Sequence, residues 1–276
     1  MRAIRRCAAL LVAAMLHTAC ASDRDAHLDG AASDASGGAG ADARGSGDEL
    51  SGGVVVQALT ERRPARDRAG QPPLRDASIR TPVISGTPPE QVLARVQAVN
   101  TTDSVFGVSL ADLREDGWLT DLDFRVVYNR HDILDIEWTM SGVGAYPSQR
   151  ISHAVTSVLT GERLRARDIF TESSLPAIAA LLEERANARV DSAHRQMVGD
   201  GLPELQAMLE PRRIAVEDLD SFSVSDDGVA FIVDFDMPHV ARLYEPRRRH
   251  EFTRAELRDF IRDDGVLAYM QRAPAN

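Results

Sequence analysis

The chain has 276 residues, of which 27% are charged and 5% are aromatic, and its formal net charge at pH 7 is −10. An acidic chain is repelled by phosphate backbones, so this charge balance argues against nucleic-acid binding. The sequence contains no lysine, which excludes Schiff-base chemistry and every mechanism that uses the lysine of a phosphate-binding loop.

The N-terminal residues have the pattern of a secretory signal. Arg2, Arg5 and Arg6 precede an apolar run over residues 8–16, which ends at small residues. The run is shorter than the roughly twenty apolar residues that a membrane-spanning helix needs. We therefore predict a signal peptide over residues 1–19 and an exported protein.

Cys20 follows this segment directly and resembles the lipidated cysteine of bacterial lipoproteins. That resemblance implies that Cys20 carries the acyl chains and anchors the protein to a membrane, with the outer membrane, facing the periplasm or the cell surface, as the expected location. His17 stands where the lipoprotein pattern has an aliphatic residue, and ordinary secretory cleavage after Ala21 stays open as the alternative. Cys7 is lost with the signal, so Cys20 has no disulfide partner.

Residues 20–77 are rich in Gly, Ala, Ser, Asp, Arg and Pro and contain few apolar side chains. Such a composition cannot bury enough apolar surface to offset the entropy that is lost on folding. We therefore predict a disordered linker here, with the folded domain over residues 78–270. Residues 54–56 are the exception, because three valines could add a short strand to the folded part.

The folded part begins with a predicted helix. Residues 87–90 read Thr-Pro-Pro-Glu, a capping box with proline in the first turn. The helix that follows has apolar residues at helical spacing. These residues are Val92, Leu93, Val96 and Val99.

A β-hairpin is predicted next. Residues 123–128 form its first strand, and residues 129–132 form the turn. In the second strand, Leu134, Ile136, Trp138 and Met140 face one side, whereas Asp135, Glu137 and Thr139 face the other. This alternation is typical of an antiparallel sheet with one solvated face.

The remaining elements complete an α+β domain with a mainly antiparallel sheet packed against a few helices. A third strand is predicted over residues 150–159, and a long helix over residues 175–190. The later elements are a short helix over residues 203–209, a hairpin over residues 221–235 and a helix that starts at a second capping box, residues 253–256.

The order of these motifs resembles the envelope domain shared by RsiV anti-sigma factors and PdaC-type peptidoglycan deacetylases. The matching segments are the strand-turn-strand over 123–139, Val143-Gly144-Ala145-Tyr146-Pro147, Ser157-Val158-Leu159-Thr160-Gly161, Arg167-Asp168-Ile169-Phe170, the hairpin over 222–231 and the helix over 254–261. The resemblance implies a non-catalytic envelope module over about residues 80–265. In RsiV-like proteins this module is similar to a sensor that grips lysozyme.

Catalytic and metal-binding patterns are absent from the sequence. The seven histidines show no zinc spacing, and there is no nucleophile elbow and no dinucleotide fingerprint. We therefore predict no catalytic residue, no metal and no cofactor. His153 lies among apolar residues of a strand and is predicted to be a hydrogen-bonded sheet histidine, and His131 is predicted to lie in a solvated turn.

The turn after the second hairpin strand carries the candidate binding residues. They are Tyr146, Pro147, Ser148 and Arg150. An exposed aromatic side chain beside proline and arginine could stack on a sugar or dock a protein, because aromatics and arginine are common interface anchors. The structural alternative is that Tyr146 covers the sheet edge and Pro147 stiffens the bend.

The sequence therefore favours a cell-envelope lipoprotein that binds a protein or a peptidoglycan ligand without catalysis. Two alternatives stay open. One is a cell-wall hydrolase that uses paired carboxylates, either Asp234 with Asp236 or Asp135 with Glu137. The other is an envelope spacer without a ligand.

Overall fold

The computed structural model describes residues 53–70 and 72–272. Within these residues the first strands and helices are β1 (Val54–Arg63), β2 (Ala77–Gly86), α1 (Glu90–Val99), α2 (Thr102–Phe106), α3 (Leu110–Glu115), β3 (Leu119–Arg130), β4 (Ile133–Val143) and β5 (Pro147–Ser157). They are followed by α4 (Ala166–Ile169), α5 (Leu175–Gly199), β6 (Phe222–Ser225), β7 (Gly228–Ile232), β8 (Arg249–Thr253) and α6 (Arg254–Leu257).

Strands β1 to β5 form one sheet in chain order, and strands β6 to β8 form a second, antiparallel sheet. All neighbours in the first sheet are antiparallel except β2 and β3, which are parallel over a short stretch. The helices α1 to α3 lie in the connection between these two parallel strands. The predicted α+β class, with a mainly antiparallel sheet and a few helices, is confirmed.

The β3–β4 hairpin turns at His131 and Asp132, as predicted. Both residues have positive φ, 52° and 61°, which is the backbone of the two-residue turn that matches the twist of the paired strands. The turn fixes the register, with Arg130 opposite Ile133 and Phe124 opposite Trp138.

Two cores share the five-stranded sheet. The first core lies under α1 to α3 and includes the predicted apolar face of β4. Its members on that strand are Leu134, Ile136, Trp138 and Met140. The second core joins the other side of the hairpin to α5 and to the three-stranded sheet, through residues such as Tyr128, Ile178 and Phe231.

The predicted capping box at residues 87–90 is wrong, although the helix itself is present. Helix α1 has Pro89 as its N-cap and no side-chain cap. The Thr87 N–H instead donates to the Gly53 carbonyl oxygen at 3.0 Å. Thr87 therefore continues the pairing of β1 with β2 and lies too far before the helix to cap it. The second capping box, Thr253 with Glu256 at the start of α6, is formed as predicted.

The predicted start of the folded part at residue 78 is also wrong. Strand β1 lies inside the predicted linker and pairs with β2 over its whole length, from Val54 opposite Gly86 to Arg63 opposite Ala77. The sequence indicated only residues 54–56 as a possible strand, and composition missed the rest of β1 because most of its side chains are exposed. A ladder of backbone hydrogen bonds holds it, and such bonds leave no trace in side-chain composition. The predicted signal and the predicted acylation site Cys20 lie outside the described residues.

The buried Arg63, at the end of β1, forms hydrogen bonds with several neighbouring segments. Its guanidinium donates to backbone carbonyl oxygens of Arg75, Leu113, Arg114, Asp116 and Leu119, with the shortest bond, 2.7 Å, to Leu119. Burial lowers the pKa of this guanidinium below its usual value. The hydrogen bonds of the Arg63 side chain therefore connect the end of β1 to α3 and to β3.

The expectation that β4 has one solvated face is wrong at Asp135. This residue is 0% exposed, because β6 of the second sheet lies against β3 and β5 and covers the polar side of the hairpin. Glu137 is also largely covered. No helix among the described residues has the length and apolarity required to cross a bilayer.

Candidate ligand-binding cleft

The predicted binding residues lie at the start of β5, beside the turn that joins it to β4. Tyr146 is 60% exposed. Its ring stacks on the ring of His239, with centroids 4.2 Å apart and planes 22° apart. One face of Tyr146 is therefore packed against the turn at His239–Tyr244, and the rest of the side chain faces solvent.

Pro147 and Ser148 begin β5 opposite the end of β4. Pro147 pairs with Val143, which suits the first position of an edge strand because proline has no N–H to donate. The Ser148 hydroxyl oxygen accepts a hydrogen bond from the Trp118 indole at 3.2 Å. The Trp118 ring lies directly on Gly142, where any Cβ would be 2.3 Å from a ring carbon. This close approach holds the strand ends in place.

Arg150 extends from β5 toward helix α2. Its guanidinium carbon lies 5.4 Å from the centroid of the Phe106 ring, a cation–π arrangement. Among the described residues no carboxylate lies within ion-pair distance of Arg150. The charge is therefore available to a ligand.

Ser148 and Arg150 line a cleft of about 450 Å³. We call it the β5 cleft, and it is bounded by residues 148–152, by Asp234, Asp236 and Met237, and by Arg242 and Arg248, with Val105 and Phe106 at the α2 end. The cleft continues into a second cavity of about 540 Å³, which shares Ser152, Asp234 and Asp236 with it. Of the four predicted binding residues, Ser148 and Arg150 line the cleft, whereas Tyr146 and Pro147 are not among its lining residues.

Sequence reasoning missed Arg242 and read Arg248 only as part of a charged run, residues 247–249, that could meet an acidic partner. The fold brings both arginines to the cleft from about 90 residues further along the chain. Arg248 bonds to Glu245 and lies 3.4 Å from Asp234. Arg242 has no carboxylate within 4.0 Å among the described residues, and its buried Nε lacks a hydrogen-bond partner there. No local pattern marks Arg242, because its position depends on how the second sheet packs on the first.

The sequence suggests that Asp234 and Asp236 lie on one face of a strand, but in the structure both residues lie beyond the end of strand β7. Strand β7 ends at Ile232, and the Asp236 N–H donates to the Asp234 side chain at 3.0 Å in a turn with positive φ at Asp236. Each carboxylate is exposed and faces an arginine, with Asp236 3.1 Å from Arg212. The pair is thus neutralised by neighbouring cations.

A serine, a histidine and an aspartate meet between the two sheets. Asp135 accepts hydrogen bonds from the Ser223 hydroxyl at 2.6 Å and from the Val224 N–H at 3.0 Å, and its other oxygen lies 3.0 Å from His153 Nδ1. In a catalytic triad the histidine bridges serine and aspartate, whereas here the aspartate bridges serine and histidine. The connectivity is that of a structural network, and His153 is hydrogen-bonded as predicted.

The second carboxylate of this strand is held in its charged form. His153 Nε2 lies 3.4 Å from Glu137, and Glu137 accepts two hydrogen bonds from Arg125, at 2.6 and 2.9 Å. The bond from Arg125 holds the pKa of Glu137 below its usual range. A general acid would require the opposite shift.

The predicted turn residue His131 lies in the tight turn between β3 and β4. His131 is exposed, as expected, and it also stacks on Tyr269 with ring centroids 3.9 Å apart. Over residues 53–70 and 72–272, no group of three or more His, Cys, Asp or Glu residues is arranged to hold a metal ion.

The structural neighbours of this chain include two solved proteins of one family. No family model matches the sequence, and no curated protein matches it. A solved member of the DUF3298 family from Bacteroides fragilis is 12% identical, over 79% of this chain and 96% of its own, with a TM-score of 0.49. A DUF3298 family protein from Pseudomonas aeruginosa is 13% identical, over 78% and 95% of the two chains, with a TM-score of 0.48. Both of these solved neighbours are DUF3298 family proteins.

Proposed function

We propose that this protein is an exported lipoprotein, anchored through Cys20, whose α+β domain binds a protein or peptidoglycan ligand in the cell envelope without catalysis. The order of motifs that resembles the RsiV/PdaC-type module supports this assignment. The observation that carries it is the β5 cleft, where Arg150 and Arg242 have no carboxylate partner among the described residues. Arginines of this kind are suited to bind a ligand carboxylate.

The features around the cleft suit recognition better than chemistry. The cleft contains the exposed Arg150, and the exposed Tyr146 lies in the turn just before β5. Arginine and aromatic residues are enriched at binding interfaces. Its carboxylates, Asp234 and Asp236, each face an arginine. The proposal therefore assigns the cleft to binding alone.

The anchoring step is tested by acyl labelling of the full chain in a bacterial host. The wild-type chain is expected to incorporate a fatty-acid probe, whereas Cys20→Ser loses the label. Cys7→Ser is the matched control, because Cys7 lies within the predicted signal, and it should keep the label. Recovery of an uncut, unlabelled wild-type chain from the cytosol would contradict the proposal.

The binding step is tested with the purified full chain against two probes, isolated peptidoglycan sacculi and a lysozyme-type protein. We expect one of them to bind, and the double change Arg150→Ala with Arg242→Ala to weaken that binding at least about tenfold, the worth of one charge-assisted contact. Arg258→Ala is the control, because Arg258 is an exposed arginine outside the cleft. Failure of both probes to bind the wild-type chain counts against the proposal.

The alternative, a cell-wall hydrolase with paired carboxylates, makes a different prediction. It requires the wild-type chain to release soluble fragments from sacculi, and Asp234→Asn or Glu137→Gln to abolish the release. The lowered pKa of Glu137 and the arginine beside each cleft aspartate favour the binding function. Absence of released fragments after prolonged incubation would exclude the hydrolase.

A further inference from the structure

Strand β5 is the last strand of the five-stranded sheet, so one of its edges has no strand beside it among the described residues. In an antiparallel pair, alternate residues direct their N–H and C=O groups toward the partner and away from it. The Ser157 N–H bonds to the Glu162 carbonyl, and the Val155 carbonyl accepts from the Leu164 N–H. The odd-numbered residues of β5 therefore direct their backbone groups to the outer edge.

The first half of this edge is open. The His153 carbonyl accepts from Arg163 at 2.8 Å. Before it, the outward N–H and C=O groups of Gln149 and Ile151 have no hydrogen-bond partner in the described part of the chain. Both residues are exposed, and the apolar Ile151 is 43% exposed. An unpaired row of alternating donors and acceptors is a template for another strand.

The open edge lies in the β5 cleft, where the local charge differs from that of the whole chain. Arg150 lies on the edge strand and Arg242 lies across the cleft, and neither is within ion-pair distance of a carboxylate among the described residues. The two aspartates that line the cleft, Asp234 and Asp236, are paired with other arginines, Arg248 and Arg212. The protein as a whole has a net charge of −10. The cleft is therefore a local site where an acidic segment is attracted and a basic one is not.

We propose that the open edge of β5 binds an extended, acidic segment of a partner protein by strand addition. This inference rests on the proposed binding function and specifies its ligand. A protein segment fits better than a peptidoglycan stem peptide, because strand pairing needs a run of L-residues whose side chains alternate between the two faces. A second copy fits less well, because antiparallel pairing that uses both open residues, with Gln149 opposite Ile151 of the other copy, brings the two Arg150 side chains together, and like charges on paired strands repel.

The probe is a library of peptides of about eight L-residues with Glu or Asp at every second position, selected against the full chain. We expect peptides to be enriched and their affinity to fall at least about tenfold in Ile151→Pro. Because the Ile151 N–H faces outward, proline there removes a donor of the edge without breaking the ladder to β4. Ile151→Ala is the matched control, since it keeps the N–H and should retain most of the affinity.

A second measurement does not depend on the folding of the proline variant. Bound peptide should slow hydrogen exchange at the amides of Gln149 and Ile151 in the wild-type chain, and N-methylation of alternate peptide amides should abolish binding. Failure to enrich any peptide, equal binding to a folded Ile151→Pro chain, or unchanged exchange at these two amides each overturns the inference.

Two further outcomes distinguish failure of strand addition from failure of the proposed binding function. If sacculi or a lysozyme-type protein bind the wild-type chain and a folded Ile151→Pro chain equally, the binding function stands and strand addition is wrong. If the wild-type chain self-associates and Ile151→Pro does not, the occupant of the edge is a second copy, which also overturns the proposal of a partner segment.

Discussion

The two cores of this domain are built from different ranges of sequence. The core under α1 to α3 uses residues between Val54 and Val158, so its parts are close in the chain. The core around α5 uses residues between Tyr128 and Met270, and it includes residues of the first sheet such as Tyr128 and Val155. The residues of the first core can be identified from patterns within single segments, whereas the second core forms only when segments that are distant in the chain pack together. Their contact is therefore the least local feature of the fold.

A buried polar junction connects the two parts. Asp135 of the first sheet bonds to Ser223 and Val224 of the second, and it also contacts His153. An apolar contact can slide, whereas these hydrogen bonds are satisfied in one arrangement only. The junction therefore sets how the second sheet lies on the first, and with it the geometry of the β5 cleft.

The largest effect is expected from removing the centre of this junction. Asp135→Ala leaves the Ser223 hydroxyl, the Val224 N–H and the His153 ring without their acceptor inside the protein. We expect the free energy of unfolding to fall by about 3–5 kcal/mol, the cost of breaking a buried charged network by removing one partner. Urea denaturation at neutral pH measures it.

Ser223→Ala is the comparison for that experiment, because it removes one donor and leaves the carboxylate with two. It should cost about 1 kcal/mol, as expected for one hydrogen bond. If Asp135→Ala costs no more than Ser223→Ala, the junction does not hold the two sheets together.

A smaller loss is expected from the anchor of β1. Arg63→Met keeps an apolar stem but leaves buried carbonyl groups without their donor, and we expect a loss of about 3 kcal/mol. Arg62→Met is the matched control, since Arg62 is exposed and should change the stability by less than about 0.5 kcal/mol. Equal stability of the two variants, measured by urea denaturation, would show that β1 contributes little to the first core.

The second core contains a titratable group without a hydrogen bond. His250 is buried, and neither ring nitrogen has a partner among the described residues. Burial, with smaller contributions from Arg189 and Arg185, lowers the pKa of His250 to about 4, from 6.5. The unfolded chain therefore takes up this proton first as the pH falls, so the contribution to stability is complete above pH 6.5 and is lost toward pH 4.

This linkage gives a pH-dependent prediction for the second core. Between about pH 7.5 and about pH 5, His250 should account for a fall of about 2 kcal/mol in the free energy of unfolding. His250→Leu removes the titrating group, so its urea stability should fall less over the same range. His239→Leu is the control at a turn histidine. A wild-type and a His250→Leu chain with parallel pH profiles would contradict the assignment.

The sequence predicts what depends on neighbouring residues. The alternation of Leu134, Ile136 and Trp138 identifies the buried face of β4, and the turn at His131 and Asp132 follows from residue type. The burial of Asp135 could not be predicted in this way, because the alternation shows that it faces away from the first core but not that a second sheet covers it. A polar residue on that face looks solvated until the covering strand is known.

The same distinction between neighbouring and distant residues applies to the candidate site. Tyr146, Pro147, Ser148 and Arg150 could be proposed as candidates from the sequence because aromatic, proline and arginine residues lie close together in the chain. Arg242 was not, because it reaches the cleft only through the packing of the second core on the first. Most of strand β1, beyond residues 54–56, was missed for a related reason, since hydrogen bonds to β2 stabilise a strand whose side chains are mostly exposed.

The smallest effect on stability is expected at Tyr146, in the turn before β5. Tyr146→Ala removes the stack on His239, and an aromatic pair of this kind contributes about 0.5–1.5 kcal/mol; because Tyr146 is largely exposed, we expect the lower end of that range. Tyr146→Phe keeps the ring and should match the wild type in thermal unfolding. A loss above about 2 kcal/mol would mean that this turn holds the two parts together.

The same two variants show whether Tyr146 stabilises the fold or contacts the ligand. If the ring contacts ligand, Tyr146→Ala should weaken binding to sacculi or to a lysozyme-type protein severalfold while the domain stays folded. Tyr146→Phe then shows whether the hydroxyl contributes. Loss of binding without loss of stability would place function in the region that contributes least to the fold, because an exposed side chain that is not needed for packing is free to serve a ligand.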